Sequence, residues 1–115
     1  MKTILVIEDN LAIRENTVEL LELLGFQVAS ASDGRSGLRL IEEIRPDSVF
    51  CDILMPGMDG YAVLSALQTL AFHTPIPFYF MSAIAEVRDR QRGIELGATG
   101  YLIKPFTEEQ LLQCL

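Results

Sequence analysis

Apolar positions follow two alternating rhythms along the chain. Short unbroken runs stand at residues 3–7, 48–51, 76–81 and 100–103, and a looser one at Phe26, Val28 and Ala31. Between them, apolar residues recur every three or four positions. The runs predict strands, three of them (the first, third and fourth) apolar enough to be buried on both faces. The spaced stretches predict amphipathic helices. A first helix is expected over 11–24, with Ile13, Thr17, Leu20, Leu21 and Leu24 on one stripe, Asn10 capping its start and Gly25 its end. Leu11 and Val18 fall on the opposite face of that helix. A second helix is expected over about 35–45, with Leu38, Ile41 and Ile44 inward and Pro46 stopping it. A third runs from about 60 to 71 and a fourth from Ala85 to Leu96, ending at Gly97. The fourth is poor in large apolar residues, with Val87 and Ile94 nearly alone, and is expected to be the least protected and the one that shifts. The last helix starts near Thr107. Five strand–helix alternations imply an α/β fold: a five-stranded parallel sheet, joined by right-handed crossovers and covered on both faces.

The ends of the strands carry the chemistry. The first strand runs into Glu8-Asp9, the third into Asp52, the fourth into Ser82 and the fifth into Lys104. Ligands of open α/β sheets bind beyond the carboxyl ends of the strands, so these residues are expected to meet. Breaks at Pro56-Gly57 and Asp59-Gly60 free the chain after Asp52 to form a loop. An acidic pair before a helix can also simply favour the helix dipole. Asp52 can be a turn residue, Ser82 a strand-end hydroxyl and Lys104 a solvated lysine. Their joint occurrence at successive strand ends argues for a site.

Composition narrows the chemistry. A chain of 115 residues, half of them apolar, is read as one globular domain with a real core. A net charge of −7 argues against direct affinity for nucleic acid or an anionic membrane surface. It fits a basic partner or a site that concentrates carboxylates. Cys51 and Cys114 stand 63 positions apart with no histidine nearby, so no metal motif involves them. They are expected to be reduced thiols. No apolar run approaches membrane-spanning length and no secretory leader is evident, so a cytosolic protein is expected. Three crowded carboxylates call for a divalent cation. An oxygen-only ligand set suits Mg²⁺ better than zinc or copper. One carboxylate could then act as nucleophile on a phosphoryl group, with an ammonium and a hydroxyl to neutralise its oxygens. Arg88, Arg90 and Arg92 form a basic stretch, read as a solvated face or as a partner contact. His73 is assigned no role.

These residues carry a resemblance along the whole chain. Glu8-Asp9, Asp52-x-x-Met-Pro-x-Met-Asp-Gly60, Ser82-Ala83, Gly97-Ala98-x-Gly-Tyr101 and Lys104-Pro105-Phe106 stand in the order and at the strand ends found in bacterial response-regulator receiver domains. The resemblance implies a doubly wound, flavodoxin-like sheet in the order 2-1-3-4-5. It implies a single receiver domain over 1–115 whose last helix is short, as expected of a stand-alone receiver or of one excised from a longer regulator or a hybrid kinase. It makes Asp52 the phosphoacceptor for a histidine kinase or phosphotransfer protein. Mg²⁺ would be held by Asp9, Asp52 and the backbone carbonyl of Leu54, with Glu8 acting through water. Lys104 would pair with the phosphate. Ser82 would hydrogen-bond it and Tyr101 would turn inward behind Ser82, switching the face formed by helix 4, strand 5 and helix 5. The Lys104-Pro105 peptide would be cis. The first helix would dock the phosphodonor, with Leu11 and Val18 as candidates.

The chain departs from the common pattern in having Glu-Asp for Asp-Asp and Ser for Thr, neither of which removes a needed group. It would be a signalling module rather than an enzyme. Cys114 stands near where one subfamily carries an arginine that supports a symmetric dimer, which lowers the expectation of a phosphorylation-dependent dimer. A dehalogenase-type phosphatase would need a second acid where Leu54 stands. A flavodoxin-type binder would not open its first loop with two acids. A pseudo-receiver, an interaction module that is not phosphorylated, is the remaining alternative. It usually lacks the acceptor or the lysine, and this chain has both.

Overall fold

The computed structural model describes residues 2–70, 75–83 and 87–115. Strands and helices alternate as β1 (Thr3–Ile7), α1 (Leu11–Leu23), β2 (Gln27–Ala31), α2 (Gly34–Ile44), β3 (Ser48–Asp52), α3 (Gly60–Gln68), β4 (Phe78–Ser82), α4 (Val87–Glu95), β5 (Gly100–Ile103) and α5 (Glu108–Cys114). All pairings are parallel, and the strand order is β2-β1-β3-β4-β5. The expected doubly wound architecture is therefore present.

Alternation along each strand sorts the core into two layers. Leu5, Ile7, Val49, Cys51, Phe78 and Phe80 pack against Ile41 of α2 and Val63, Leu64 and Leu67 of α3. Ile4, Val6, Phe50, Tyr79 and Met81 pack on the other face against Leu21 of α1 and Leu111 of α5. The three central strands are buried along almost their whole length, which is why their sequences are continuously apolar. Helix starts are fixed by side chains that accept orphan backbone N–H groups: Asn10, Asp33, Asp59 and Thr107. Gly25 at φ +96° ends α1 in the left-handed region. Among the described residues, no helix is long and apolar enough to cross a membrane.

Several boundaries and faces differ from expectation. β4 starts at Phe78 rather than Ile76, because Pro75 and Pro77 flank Ile76 without N–H groups. β3 and β4 each run one residue further, to Asp52 and Ser82, which stay in register with Met81 and Ile103. The third helix ends at Gln68, capped by Thr69, whose hydroxyl donates to the Ala66 carbonyl. Ala71, His73 and Ala85 lie outside the described residues, as does the side chain of Val87. Ile44 is 39 % exposed at the last position of α2. Val18 is not on an open face: it is half-buried against the α1–α5 layer of the core. α1 touches both the sheet and α5, so its buried face is wider than one stripe. Of the two apolar residues on that face, Leu11 alone is exposed.

Neighbouring leucines on α1 test this packing. Leu21 is fully buried and Leu23 is 72 % exposed. Leu21→Ala is expected to cost about 2–5 kcal/mol in urea unfolding. Leu23→Ala is expected to stay within about 0.5 kcal/mol. Equal losses would contradict the assigned face.

Candidate functional site

The carboxyl ends of β1, β3, β4 and β5 lie along one edge of the sheet. Glu8 continues β1 by one residue, its N–H donating to the Ala31 carbonyl at 3.0 Å. Its side chain is 1 % exposed. Oε2 accepts from the Asn10 N–H at 3.2 Å, and Oε1 accepts from Lys104 Nζ. Asp52 closes β3, also buried, and its Oδ1 accepts from the same Nζ at 3.1 Å. Asp9, next along, is exposed. Glu8, Asp9 and Asp52 each place a carboxylate oxygen within 4.8 Å of the others. Lys104 is aimed by its own backbone, whose N–H donates to the Ser82 carbonyl at 2.8 Å, and its bond to Pro105 is cis.

The electrostatics follow from burial and crowding. Two like charges about 5 Å apart repel by about 3 kcal/mol at an effective dielectric near 20. Burial pushes the Glu8 carboxyl up to about 7. The hydrogen bonds from Lys104 and Asn10 pull it down without cancelling that rise, and the charge of Asp52 adds to it. Burial alone would lower Lys104, but its hydrogen bond to Glu8 and the charge of Asp52 leave its ammonium raised. Among the described residues, the group holds three carboxylates with no thiolate or imidazole, a donor set for a hard divalent cation. The residues therefore fit an ion of the Mg²⁺ class, which would add the positive charge that one ammonium supplies only in part.

The other candidates surround this cluster at different ranges. Ser82 is buried at the end of β4, next to Lys104 across the β4–β5 pair. Leu54 lies two residues past Asp52 with its side chain exposed. The loop that bears it turns through Gly57 at φ +76° and returns tightly. A Cβ on Gly60 would sit 2.4 Å from the Asp52 carbonyl oxygen, so the first turn of α3 rests on the Asp52 backbone. Tyr101 is half-buried on β5, with the Arg90 guanidinium carbon 5.9 Å from its ring centroid. Its ring lies toward α4. Two features had no sequence signal. Arg14 Nη1 donates to the Glu8 carbonyl at 2.9 Å, fixing the strand end from α1. Beside Lys104, the residues Ala12, Ile13, Asn16, Ala83, Pro105 and Phe106 line a cleft of 510 Å³ between α1 and the β5–α5 loop.

Comparison with known proteins gives a consistent picture. The family model for the response regulator receiver domain matches residues 4–115. The probable transcriptional regulator ycf27 of Cyanophora paradoxa is 37 % identical over 110 residues, covering 96 % of this chain and 45 % of that protein. The transcriptional regulatory protein PrrA of Mycobacterium tuberculosis is 40 % identical over 109 residues, 95 % of this chain and 46 % of that protein. The chain thus spans less than half the length of these relatives. Among solved structures, the chemotaxis protein CheY4 of Vibrio cholerae superposes with a TM-score of 0.92 at 31 % identity, covering 98 % of this chain and 94 % of that one. The signal receiver domain of a Syntrophus aciditrophicus histidine kinase gives 0.83 at 32 % identity, with 98 % and 86 % covered.

The buried glutamate makes a pH signature. Glu8 binds its proton more tightly in the folded chain, near 7, than at its ordinary 4.5. The folded state therefore holds the extra proton between those values, and its advantage shrinks as pH rises through that window. In EDTA, stability is expected to fall between pH 5 and pH 7.5, by up to about 3 kcal/mol at 1.4 kcal/mol per pK unit. Glu8→Gln should flatten that slope in chemical denaturation. An unchanged slope would place the titrating group elsewhere.

Proposed function

The chain belongs to the response-regulator receiver domain family, and from that premise we propose that it receives a phosphoryl group on Asp52 in two-component signalling. One observation carries this: Asp52 is a buried carboxylate tied to Lys104 and within 4.8 Å of two further acids. Asp9, Asp52 and the Leu54 carbonyl would hold Mg²⁺, with Glu8 acting through water. Bound there, the ion would supply charge neutralisation for the carboxylates and for the incoming phosphoryl oxygens.

Asp52 Oδ is the nucleophile. It forms a bond to phosphorus while the phosphorus–nitrogen bond of a phosphohistidine donor breaks, leaving the donor's imidazole. Lys104 then exchanges its Asp52 contact for a phosphoryl oxygen. Ser82, one strand away, donates its hydroxyl to another. Tyr101 turns toward the space behind Ser82, and the face formed by α4, β5 and α5 changes. The partner is a histidine kinase or a phosphotransfer protein, and the place of action is the cytoplasm. The net charge of −7 supports a protein partner over direct contact with nucleic acid. The domain is a signalling module that reacts once per phosphorylation, not a turnover enzyme. A phosphorylation-dependent dimer through the switched face is open to test.

The cleft beside Lys104 supports α1 and the β5–α5 loop as the donor's docking surface. Its exposed member Ala12 replaces Val18, whose packing in the core makes it unsuitable as a probe.

Two measurements test the reading. Acetyl phosphate with Mg²⁺ should add one phosphate by intact mass, and neither EDTA-treated protein nor Asp52→Asn should gain it. Label that survives in Asp52→Asn would move the acceptor, and no label at all would make this an unphosphorylated interaction module. Ala12→Arg should slow transfer from the cognate donor about tenfold or more, the effect of roughly 1.4 kcal/mol lost at the interface. It should leave acetyl phosphate labelling unchanged. Equal loss with both donors would mean the substitution had damaged the site and not the docking surface.

A further inference from the structure

Among the described side chains of α4, little apolar surface is buried. Ile94 is 62 % exposed, and Gly93 lies so close to Phe80 that a Cβ would fall 2.9 Å from its ring. Two members of the basic stretch supply other contacts. The guanidinium carbon of Arg90 stands 5.9 Å from the Tyr101 ring centroid, and that of Arg92 stands 4.2 Å from the Tyr61 centroid. Both fall within cation–π range, and the Arg92 contact is the closer. Both arginines are exposed, yet their guanidiniums lie over two rings that belong to different elements.

The ring under Arg92 is itself fixed. Tyr61 is buried and meets Phe80 edge-on, with centroids 5.2 Å apart. It follows Gly60, where a Cβ would lie 2.4 Å from the Asp52 carbonyl oxygen and 2.9 Å from Ile53 Cα. The Gly60 N–H also donates to the Ile53 carbonyl at 2.9 Å. No slack therefore exists between the backbone of Asp52 and the first turn of α3. A shift of Asp52 must displace Tyr61, and with it the seat of Arg92. We propose that Arg92 is the positioning residue through which the Asp52 loop sets the place of α4. This rests on the phosphoacceptor and metal reading for what would move Asp52. It does not rest on that reading for the contacts themselves.

Contiguous contacts alone do not demonstrate coupling, so the test reads both ends of the chain of contacts. Amide exchange and ¹⁵N-resolved NMR shifts are measured on the full chain in EDTA and across a Mg²⁺ titration, for wild type, Arg92→Gln and Arg92→Lys. Without metal, Arg92→Gln should speed exchange over residues 91–96 about two- to fivefold, the factor expected from one exposed cation–π contact. Lysine keeps the cation and should restore part of the protection, while α1 is unchanged. With Mg²⁺, resonances of Asp9 and Asp52 should move with the same midpoint in wild type and Arg92→Gln. Those of α4 should follow in wild type and lose most of their shift in Arg92→Gln. An α4 response as large in Arg92→Gln as in wild type overturns the proposal, and so does unchanged α4 exchange. If Mg²⁺ moves nothing at Asp9 or Asp52 in wild type, the metal reading fails separately. The metal-free exchange then decides the role of Arg92 alone: faster α4 exchange supports it, and unchanged exchange removes it.

Discussion

A single ammonium between two buried carboxylates is the constraint on which the site depends. Lys104 Nζ donates to both Glu8 and Asp52, and those acids approach Asp9 within 4.8 Å. Buried charge is tolerated only when it is paired and hydrogen-bonded. Among the described residues one ammonium bonds to two of the three acids, and burial leaves Glu8 holding its proton far more tightly than a free glutamate. The cluster is therefore electrostatically unfinished. It gains from a proton, a divalent cation or another positive group. A resting structure built this way is poised to bind, because binding relieves a repulsion already present.

The sheet makes this crowding geometrically unavoidable. β1 and β3 are adjacent at the point where the strand order reverses, so helices leave the sheet in opposite directions from that edge. That opens a crevice beyond the strand ends, and Glu8, Asp9 and Asp52 are the residues that reach it. The apolar strands behind them permit no sideways relief. Val6, Ile7, Phe50 and Cys51 are fully buried immediately before the acids. Lys104 is aimed by its backbone bond to Ser82, so the counter-charge is fixed by the same ladder that fixes the acids.

What was legible in the sequence was mostly what the strands dictate. A run such as Ile4-Leu5-Val6-Ile7 can be buried on both faces only in a covered parallel sheet, and the acids at the run ends then have one place to go. Helix faces were less legible. Val18 lay off the stripe that meets the sheet, but α1 also packs against α5, and a one-stripe pattern cannot show a second neighbour. Ile44 had the right spacing and yet sits at a helix end, beyond the layer it was expected to join. The contact of Arg14 with the Glu8 carbonyl was invisible because any residue supplies a backbone acceptor. The aromatic seats of Arg90 and Arg92 were hidden because a guanidinium over a ring leaves no periodic trace.

The helices are held by two kinds of packing, and the proposed switch would draw on both. α1, α2, α3 and α5 each bury apolar residues in one of the two core layers. Removing one large buried side chain from such a layer costs about 2–5 kcal/mol, so a perturbation of about 1 kcal/mol does not rearrange them. Among its described residues, α4 lies on Phe80 through a glycine, exposes Ile94 and makes guanidinium contacts worth about 0.5–1 kcal/mol each at exposed positions. A like-charge repulsion of about 3 kcal/mol at about 5 Å exceeds either of those contacts. If Asp52 is the acceptor as proposed, such an event would leave the sheet and the other four helices in place and act on α4. On the proposed reading, the acids that would react stand on buried central strands, and the helix that would respond is one whose described side chains bury little apolar surface.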